Sequence, residues 1–373
     1  MSAHVWSVPM TTRFRGITVR EGVLLEGPGG WGEWSPFLEY AAAVAEPWLR
    51  CAEEAAAGDW PAPRRDRVPV NVTVPAVGPE RAHEIVARSG CRTAKVKVAE
   101  PGQAEAEDEA RLEAVRDALG PDGLVRIDVN GLWDVDTALR RLPVLNRAAG
   151  GLEYVEQPVA QVEDLAVVRR RQHVPVAADE SIRRAADPYR VRDLEAADVA
   201  VLKVQPLGGV RACLRIAEDI GLPVVVSSAL ETSVGIAAGV ALAAALPELP
   251  HACGLATVAL LTDDLAVEPL LPVDGALPVG RPVVDRAALG RLAAGVAHEV
   301  RNPLGVIKAS ASLVQEGLDH LQDLLLLAVV ARGEGPRQRQ GLPLHPLAVE
   351  AHEPRDVAGD AVAVVALVGH GVA

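Results

Sequence analysis

Five charged residues that could perform acid–base or metal chemistry recur along the middle of the chain at nearly even intervals. Each follows a short run rich in β-branched residues, and neighbours lie 23 to 31 positions apart: Lys97, Asp128, Glu156, Asp179 and Lys203. Alone, each would be a solvated loop residue or a helix cap. Spaced by one strand–helix unit, they are expected to meet at the carboxyl face of a barrel. Three carboxylates without Cys or His suit Mg²⁺.

A second lysine precedes the first, since Lys95 and Lys97 are two positions apart on a predicted strand. Such residues project to the same face, and a neighbouring cation lowers the pKa of a lysine toward that of a useful base. A metal ion opposite such a base can stabilise the anion that proton removal leaves. Lys95 either takes part in the reaction itself or only lowers the pKa of Lys97. Asn130, beside Asp128, is either a supporting polar group or a turn former.

An alternation of strands and helices from Val68 onward must position these residues. The eight strand-like runs are VPVNVTV, TAKVKV, LVRIDV, LEYVE, VPVAA, VAVLKV, LPVVVSS and HACGL. Helices are predicted between them, for example over Pro79–Ser89, Ala104–Leu119 and Val135–Ala148. A closed parallel barrel requires eight such units. We favour it over an open doubly wound sheet because polar residues end nearly every run.

The predicted fold class is α/β: a modified TIM (β/α) barrel with an α+β capping domain and an atypical C-terminal tail. Residues 1–67 form the cap, with strand-like pieces and an Ala-rich helix, and residues 68–260 form the barrel. Residues 261–289 return to the cap, and residues 290–373 are the tail. The glycine-rich Gly27–Glu33 matches neither the dinucleotide nor the phosphate-loop spacing and indicates a hairpin turn.

Composition narrows the range of partners and compartments. The formal net charge is −13 and no Lys/Arg block is present, which argues against nucleic-acid and membrane surfaces. A small carboxylate substrate remains compatible, because local lysines or a metal can override the global charge. The four cysteines contain no Cys-x-x-Cys pair, and neither a signal peptide nor a membrane-spanning run is recognisable. A cytoplasmic setting is expected, whereas the oligomeric state is not indicated.

At these charged residues the chain resembles the muconate-lactonizing branch of the enolase superfamily. The Lys-x-Lys motif of that branch matches TAKVKV, its three metal-ligand motifs match IDVNG, EQP and ADES, and its sixth-strand lysine matches LKVQPLGG. Similarity to o-succinylbenzoate synthases of the actinobacterial type is carried by VSSALETSVGIAAGVALAAALP and ACGLAT. The resemblance extends from about Pro9 to Ala288.

This resemblance implies the dehydration of 2-succinyl-6-hydroxy-2,4-cyclohexadiene-1-carboxylate to o-succinylbenzoate in menaquinone biosynthesis. Lys97 would remove the proton α to the ring carboxylate and return it as hydroxide leaves. Mg²⁺ would be held by the three carboxylates, and Lys203 would stabilise the anionic intermediate from the opposite face. The segment around Arg15 would contact the succinyl tail. The Ser227–Ser228 pair is a candidate substrate contact or, almost as readily, a helix N-cap.

Two other enzymatic functions and one non-enzymatic function stay open. An N-succinylamino acid racemase or related cycloisomerase would use the same pair of lysines. A dipeptide epimerase is disfavoured, because the Asp-x-Asp expected on the eighth strand is not evident near ACGLAT. A signalling protein would use the barrel only to bind a ligand.

The character of the sequence changes at about residue 290. The segment GRLAAGVAHEVRNPLGVIKASASLVQE resembles the phosphoacceptor box of sensor histidine kinases, with His298 as the acceptor. No Asp-x-Gly-x-Gly or asparagine box of an ATP-binding domain follows. A junction of unrelated coding sequence therefore explains the tail better than a phosphorelay, and its deletion is expected to preserve activity.

Overall fold

The computed structural model describes residues 1–184 and 187–299. The chain begins with an antiparallel sheet in the order β1-β2-β3, followed by one helix. These elements are β1 (Ser2–Phe14), β2 (Ile17–Gly27), β3 (Gly30–Trp34) and α1 (Ala42–Ala57). Their apolar faces, including Trp6, Leu24 and Trp48, share one core. The α+β character predicted for this part of the chain is confirmed.

Two tight turns connect these strands. The first contains Arg15 and Gly16, both with left-handed φ angles of 51° and 80°. In the second, Gly27 pairs with Gly30 across the β2–β3 hairpin, so the hairpin predicted from the glycine-rich segment is confirmed. The long first strand was not predicted, because MSAHVWSVPMTTRF does not alternate cleanly between apolar and polar residues.

Seven parallel strands form the central sheet, in the order β11-β10-β9-β8-β7-β6-β5. They are β5 (Val72–Val74), β6 (Thr93–Lys97), β7 (Leu124–Asp128), β8 (Leu152–Glu156), β9 (Val176–Ala178), β10 (Val199–Leu202) and β11 (Val224–Val226). The eighth predicted run contributes two isolated bridges, Cys253 with Val70 and Gly254 with Ser227. These bridges link the two edges of the sheet, as closure of a barrel requires.

Helices follow nearly every strand. They are α2 (Pro79–Ser89), α3 (Glu105–Leu119), α4 (Val135–Ala148), α5 (Val162–Arg171), α6 (Glu180–Arg183), α7 (Arg190–Asp193), α8 (Val210–Ile220) and α9 (Ser233–Ala245). The bounds predicted for α2 and α4 are confirmed, and α3 begins one residue later than predicted. No helix of the described ranges is long and apolar enough to cross a membrane.

The chain then returns to the cap. The short strand β12 (Ala276–Pro278) pairs antiparallel with β4 (Arg67–Pro69), so the first predicted run is split between this small sheet and the barrel. The helix α10 (Arg286–Glu299) brings Leu289 into the core of the cap. The domain boundaries themselves stay predictions.

Of the tail, only the start of α10 is described. The backbone of His298 belongs to that helix, whereas the rest of the predicted phosphoacceptor segment, from residue 300 onward, lies outside the described residues. The likeness to histidine kinases therefore stays a prediction.

Candidate active site

The register of the parallel strands places the predicted charged residues side by side. Lys97 on β6 is opposite Asp128 on β7, and Asp128 is opposite Glu156 on β8. All three side chains are buried, with exposed fractions of 9%, 1% and 0%. Each ends its strand, so the sequence spacing has become a row at the carboxyl end of the sheet.

The remaining two members follow from the alternation along β9 and β10. Ala177 and Val201 belong to a small apolar core with Tyr154. Asp179 and Lys203 lie two residues further along the chain and therefore point in the same direction. The structure thus gathers the predicted residues at one end of the strands.

One lysine bridges two carboxylates of this group. The Lys95 Nζ atom lies 2.9 and 3.0 Å from the two carboxylate oxygens of Glu156 and 3.4 Å from Asp128 Oδ2. The Lys97 Nζ atom lies 2.6 Å from the same Asp128 oxygen. Lys95 is therefore a full member of the site and not merely a neighbour of Lys97.

Asp179 is held by two cations. Its Oδ2 accepts a hydrogen bond of 2.6 Å from Lys203 Nζ, and its Oδ1 accepts one of 2.8 Å from Arg183 Nε. Arg183 was not predicted. It lies four residues after Asp179, at the spacing of one helical turn, and that spacing within ADESIRR is the signal that could have identified it.

The two neighbouring lysines differ in pKa. Burial lowers the pKa of Lys97, and the nearby Lys95 acts in the same direction against the attraction of Asp128. Burial acts on Lys95 too, but Glu156 and Asp128 outweigh it and raise its pKa. The predicted direction for Lys97 is thus found, with burial as the larger cause. At neutral pH Lys97 is the better suited of the two to act as a base.

The three carboxylates also differ. Burial opposes ionisation of all of them, but Lys97 and Lys95 pull the pKa of Asp128 well below its usual range. Arg183 and Lys203 do the same for Asp179. Burial, together with the negative charge of Asp128, raises the pKa of Glu156 to about 7. Glu156 is therefore the carboxylate that gains most from an additional cation.

The donor set fits a hard divalent cation. Asp128, Glu156 and Asp179 offer only oxygen atoms, and the Lys95 ammonium already bridges two of them as a positive charge. As placed here, no three His, Cys, Asp or Glu side chains within residues 1–184 and 187–299 converge closely enough to hold a metal ion. Binding of Mg²⁺ would therefore require the lysine contacts to loosen, and the ligand set stays a prediction.

A narrow pocket opens beside this cluster. Its walls include four further side chains predicted for the site, together with three lysines: Arg15, Asn130, Ser227 and Ser228, and Lys95, Lys97 and Lys203. Asp128 also borders the pocket, whereas Glu156 and Asp179 reach it only through the lysines that they contact. The free space between these side chains is about 30 Å³, room for no more than a few water molecules. A ring-sized substrate therefore requires the surrounding side chains to move apart.

Asn130 is tied directly to the base. Its Oδ1 accepts a hydrogen bond from Lys97 Nζ, its backbone N–H donates to Asp128 Oδ1 over 3.1 Å, and its Nδ2 donates to Glu180 over 3.2 Å. Its φ of 52° is left-handed. Asn130 therefore combines the two predicted possibilities, since it forms the turn and also supports Lys97.

The pocket wall opposite Asp128, Glu156 and Asp179 carries hydroxyl groups. Ser228 Oγ lies 2.7 Å from Thr257 Oγ1, and Thr73 and Ser227 border the same pocket. The N-cap of α9 is Thr232, so the alternative role of Ser227 and Ser228 as helix caps is wrong. Their contact with a substrate stays a prediction.

Several lining residues were missed by the sequence analysis: Phe14, Phe37, Thr73, Ala229, Leu230, Gly254 and Thr257. Thr73 could have been found, because it pairs with Lys95 in the strand register and therefore faces the same side. The two phenylalanines come from the cap, and no local pattern relates them to the barrel.

Comparison with known families supports the architecture. Residues 5–56 match the model of the enolase N-terminal domain-like family, and residues 79–282 match that of the enolase C-terminal domain-like family.

Two curated relatives are similar over most of their length. The o-succinylbenzoate synthase of Thermobifida fusca (strain YX) is 67% identical over 292 residues, covering 78% of this chain and 92% of the relative. That of Mycolicibacterium smegmatis is 58% identical over 292 residues, covering 78% and 89%.

Among solved structures, the muconate lactonizing enzyme from Pseudomonas fluorescens, complexed with muconolactone, shares the fold. It is 22% identical, the match covers 78% of this chain and 97% of that structure, and the TM-score is 0.66.

Proposed function

This chain belongs to the enolase superfamily and, within it, to the family of o-succinylbenzoate synthases, and from that premise we propose its activity. It dehydrates 2-succinyl-6-hydroxy-2,4-cyclohexadiene-1-carboxylate to o-succinylbenzoate, a step of menaquinone biosynthesis. The two relatives reported above are o-succinylbenzoate synthases. The enzyme is a carbon–oxygen lyase.

Lys97 is the proposed acid–base residue. Its buried ammonium has a lowered pKa and lies beside the pocket, so it gives up its proton more readily than an ordinary lysine does. It removes the proton from the ring carbon next to the carboxylate. It then delivers that proton to the departing hydroxyl, and water and an aromatic ring are formed.

Lys203 and a Mg²⁺ ion held by the three carboxylates would stabilise the negative charge of the intermediate. Lys203 lines the same pocket as Lys97 and offers its ammonium to the anionic intermediate. Asp128, Glu156 and Asp179 would hold Mg²⁺. When bound, Mg²⁺ supplies positive charge to the substrate carboxylate on which negative charge develops. Lys95 bridges Asp128 and Glu156, and its charge adds to burial in lowering the pKa of Lys97.

We propose that polar side chains at the edge of the pocket bind the succinyl tail of the substrate. Arg15 from the cap and the Ser227–Ser228 pair from the barrel border one pocket, and both can donate hydrogen bonds to a carboxylate or a carbonyl.

The placement of Lys97 between Asp128 and the pocket, with a lowered pKa, carries the proposal. Its test is turnover of the cyclohexadiene carboxylate by the purified protein with Mg²⁺ and with excess EDTA. We expect metal-dependent aromatisation that falls at least about 10³-fold in Lys97→Ala, the scale of a lost acid–base group. An unchanged rate in that variant would refute the role of Lys97. Absence of turnover by the folded wild-type protein would refute the proposed activity.

A racemase of N-succinylamino acids is the second candidate. The observation in its favour is that Lys97 and Lys203 line the same pocket, so two bases are available for two-sided proton transfer. Exchange of the α-proton of an N-succinylamino acid with deuterium in heavy water is its direct measurement.

The tail and the cellular setting also remain proposals. We propose that the histidine-kinase-like segment contributes nothing to the reaction and that the enzyme acts in the cytoplasm.

The structure indicates at which residue a truncation that removes the tail should end. Leu289 packs into the core of the cap, so a chain that ends after residue 299 tests the tail more cleanly than one that ends at Leu289.

A further inference from the structure

The loop after β11 forms one wall of the pocket, and side chains of the cap hold part of it. This β11 loop, residues 227–232, presents Ser227, Ser228, Ala229 and Leu230 to the same pocket as the catalytic lysines. At its end, α9 begins at Ser233. The shape of the loop therefore sets the shape of the wall that faces the proposed substrate.

Part of the loop has a backbone conformation that costs energy. Leu230 has a φ of +67°, in the left-handed region that a residue with a Cβ atom seldom adopts. Such a conformation persists only where the surroundings hold it. Leu230 is only 3% exposed, and its contacts show what holds it.

Arg20 on β2 contacts this part of the loop from the cap. Its Nε donates to the carbonyl oxygen of Leu230 over 3.1 Å, and its Nη2 lies 3.4 Å from the carbonyl oxygen of Ala229. The same Nη2 donates to the carbonyl oxygen of Ser35 at the end of β3. Arg20 is 3% exposed, so one buried guanidinium fork joins the cap to two consecutive carbonyls of the loop.

Glu33 on β3 holds the far end of the loop. Its carboxylate accepts hydrogen bonds from the backbone N–H of Thr232 over 3.2 Å and from that of Gly235 over 3.0 Å, as well as from the Thr232 hydroxyl. A carboxylate at the amino end of a helix is stabilised by the free N–H groups there. A Cβ atom on Gly235 would lie 2.6 Å from the Glu231 side chain, so the close packing at the start of α9 favours glycine there.

We propose that Arg20 is a positioning residue for substrate binding: from the capping sheet it fixes the β11 loop in the shape that receives the tail of the substrate. Glu33 anchors the end of the loop in the same way. Arg20 does not touch the reacting atoms. Its loss therefore weakens binding of a tailed ligand and leaves proton transfer by Lys97 intact. This role rests on the proposed function, because the tail is that of the succinyl group.

Arg20→Lys tests the proposal, since it keeps the positive charge but cannot reach both carbonyls. Arg65→Lys is the matched control. Arg65 donates to the carbonyl oxygens of Leu246 over 2.9 Å and of Pro247 over 3.3 Å, at the opposite end of the same helix α9. Arg20→Gln is a second variant in case the first perturbs folding.

Two measurements are made on each protein. Amide hydrogen exchange over residues 227–235 reports the loop without any ligand. Steady-state kinetics, with o-succinylbenzoate and benzoate as competing ligands, measure how much the succinyl tail contributes to binding. For Arg20→Lys we expect faster exchange in the loop, a KM raised on the order of tenfold with kcat within about threefold, and weaker binding of o-succinylbenzoate but not of benzoate. Arg65→Lys should leave all of these unchanged.

Each outcome decides a different point. Unchanged exchange in the loop of both Arg20 variants would overturn the proposal. Faster exchange with unchanged KM would overturn the role in substrate binding. A lowered kcat with unchanged KM would place Arg20 in the chemical step and so also contradict the proposal. If the wild-type protein turns over no substrate, the proposed function fails, and hydrogen exchange still decides whether Arg20 holds the loop.

Discussion

Two groups of buried charges lie in the barrel, and they are built differently. The mouth cluster consists of Lys95, Lys97, Asp128, Glu156, Asp179 and Lys203. The floor cluster, toward the amino ends of the strands, consists of Asn71, Arg126, Glu153, Tyr154 and His251. On β7 the two are one layer apart, because Arg126 is two residues before Asp128, and Lys95, which is opposite Arg126 in the register, belongs to the mouth through the carboxylates that its side chain contacts.

The floor cluster is centred on an arginine with fixed partners. The Arg126 Nε donates to Glu153 over 2.5 Å and its Nη1 donates to the Ala252 carbonyl oxygen over 2.7 Å. The guanidinium also lies 4.7 Å from the centre of the Tyr154 ring, and His251 lies 2.7 Å from Glu153. These contacts bind strands to one another.

The mouth cluster uses lysines instead, and its members border a pocket. A lysine is a single point charge on a flexible stem whose pKa responds to its surroundings, whereas an arginine stays charged and prefers fixed, forked contacts. The contrast between Lys97, with its lowered pKa, and Arg126, with its raised pKa, therefore distinguishes a group that can exchange a proton from one that holds structure.

The sharpest test of this contrast uses two glutamates on the same strand. Glu156→Gln should reduce turnover by on the order of 10³-fold, because a carboxylate of the proposed metal site loses its charge. It should cost less stability than Glu153→Gln, because burial already opposes the charge of Glu156 and Lys95 keeps Asp128 as a partner. Glu153→Gln should retain turnover and lose stability, since it weakens the contacts to Arg126 and His251. Steady-state rates and thermal unfolding of both variants are the measurements.

The comparison would be broken by the reverse pattern. If Glu153→Gln loses activity in fully folded protein, the floor cluster takes part in the chemistry. If Glu156→Gln keeps its activity, the mouth cluster is not the active site.

The second test removes the centre of the floor cluster. Arg126→Met should destabilise the protein by about 3–5 kcal/mol, the cost of breaking a buried ion pair, while the folded fraction keeps its turnover. Urea unfolding gives the stability, and activity is normalised to the folded fraction. Arg126→Lys keeps the positive charge but not the forked contacts, so its stability should lie between those of the wild type and Arg126→Met. A loss of activity without a loss of stability would contradict the structural role.

The third test concerns Glu33 in the cap. Like the carboxylates of both clusters, it is buried and hydrogen-bonded. Burial raises its pKa from 4.5 to about 7, and Glu231 acts in the same direction, although Thr232, Ser35 and Arg20 lower it. Between these two pH values the folded state binds more protons than the unfolded state. Stability from this group is therefore greatest below pH 4.5 and falls as the pH rises to 7, by about 3 kcal/mol.

Glu33→Gln removes this titration, so its stability should depend less steeply on pH than that of the wild type between pH 4.5 and 7. Denaturant unfolding at several pH values measures the difference. Parallel profiles for the two proteins would show that the native carboxyl titrates as it does in the unfolded chain.

Much of the fold could be predicted, because barrel strands and helices leave periodic signals in the chain. The runs ending at Lys97, Asp128 and Glu156 became neighbouring strands in the expected order. The alternation of side chains also indicates correctly that these residues share one face. The eighth run was a partial exception, since Cys253 and Gly254 form single bridges and no strand.

The sequence by itself determined which residues end the strands, that their side chains point inward, and which family they resemble. Only the tertiary structure decided how they are paired, for example that Lys95 bridges Asp128 and Glu156. Only the tertiary structure, too, brought Arg20 to Leu230, a carbonyl 210 residues away. Local periodicity reports the face on which a side chain lies, whereas contacts between distant segments depend on how the whole chain closes on itself and leave no such pattern.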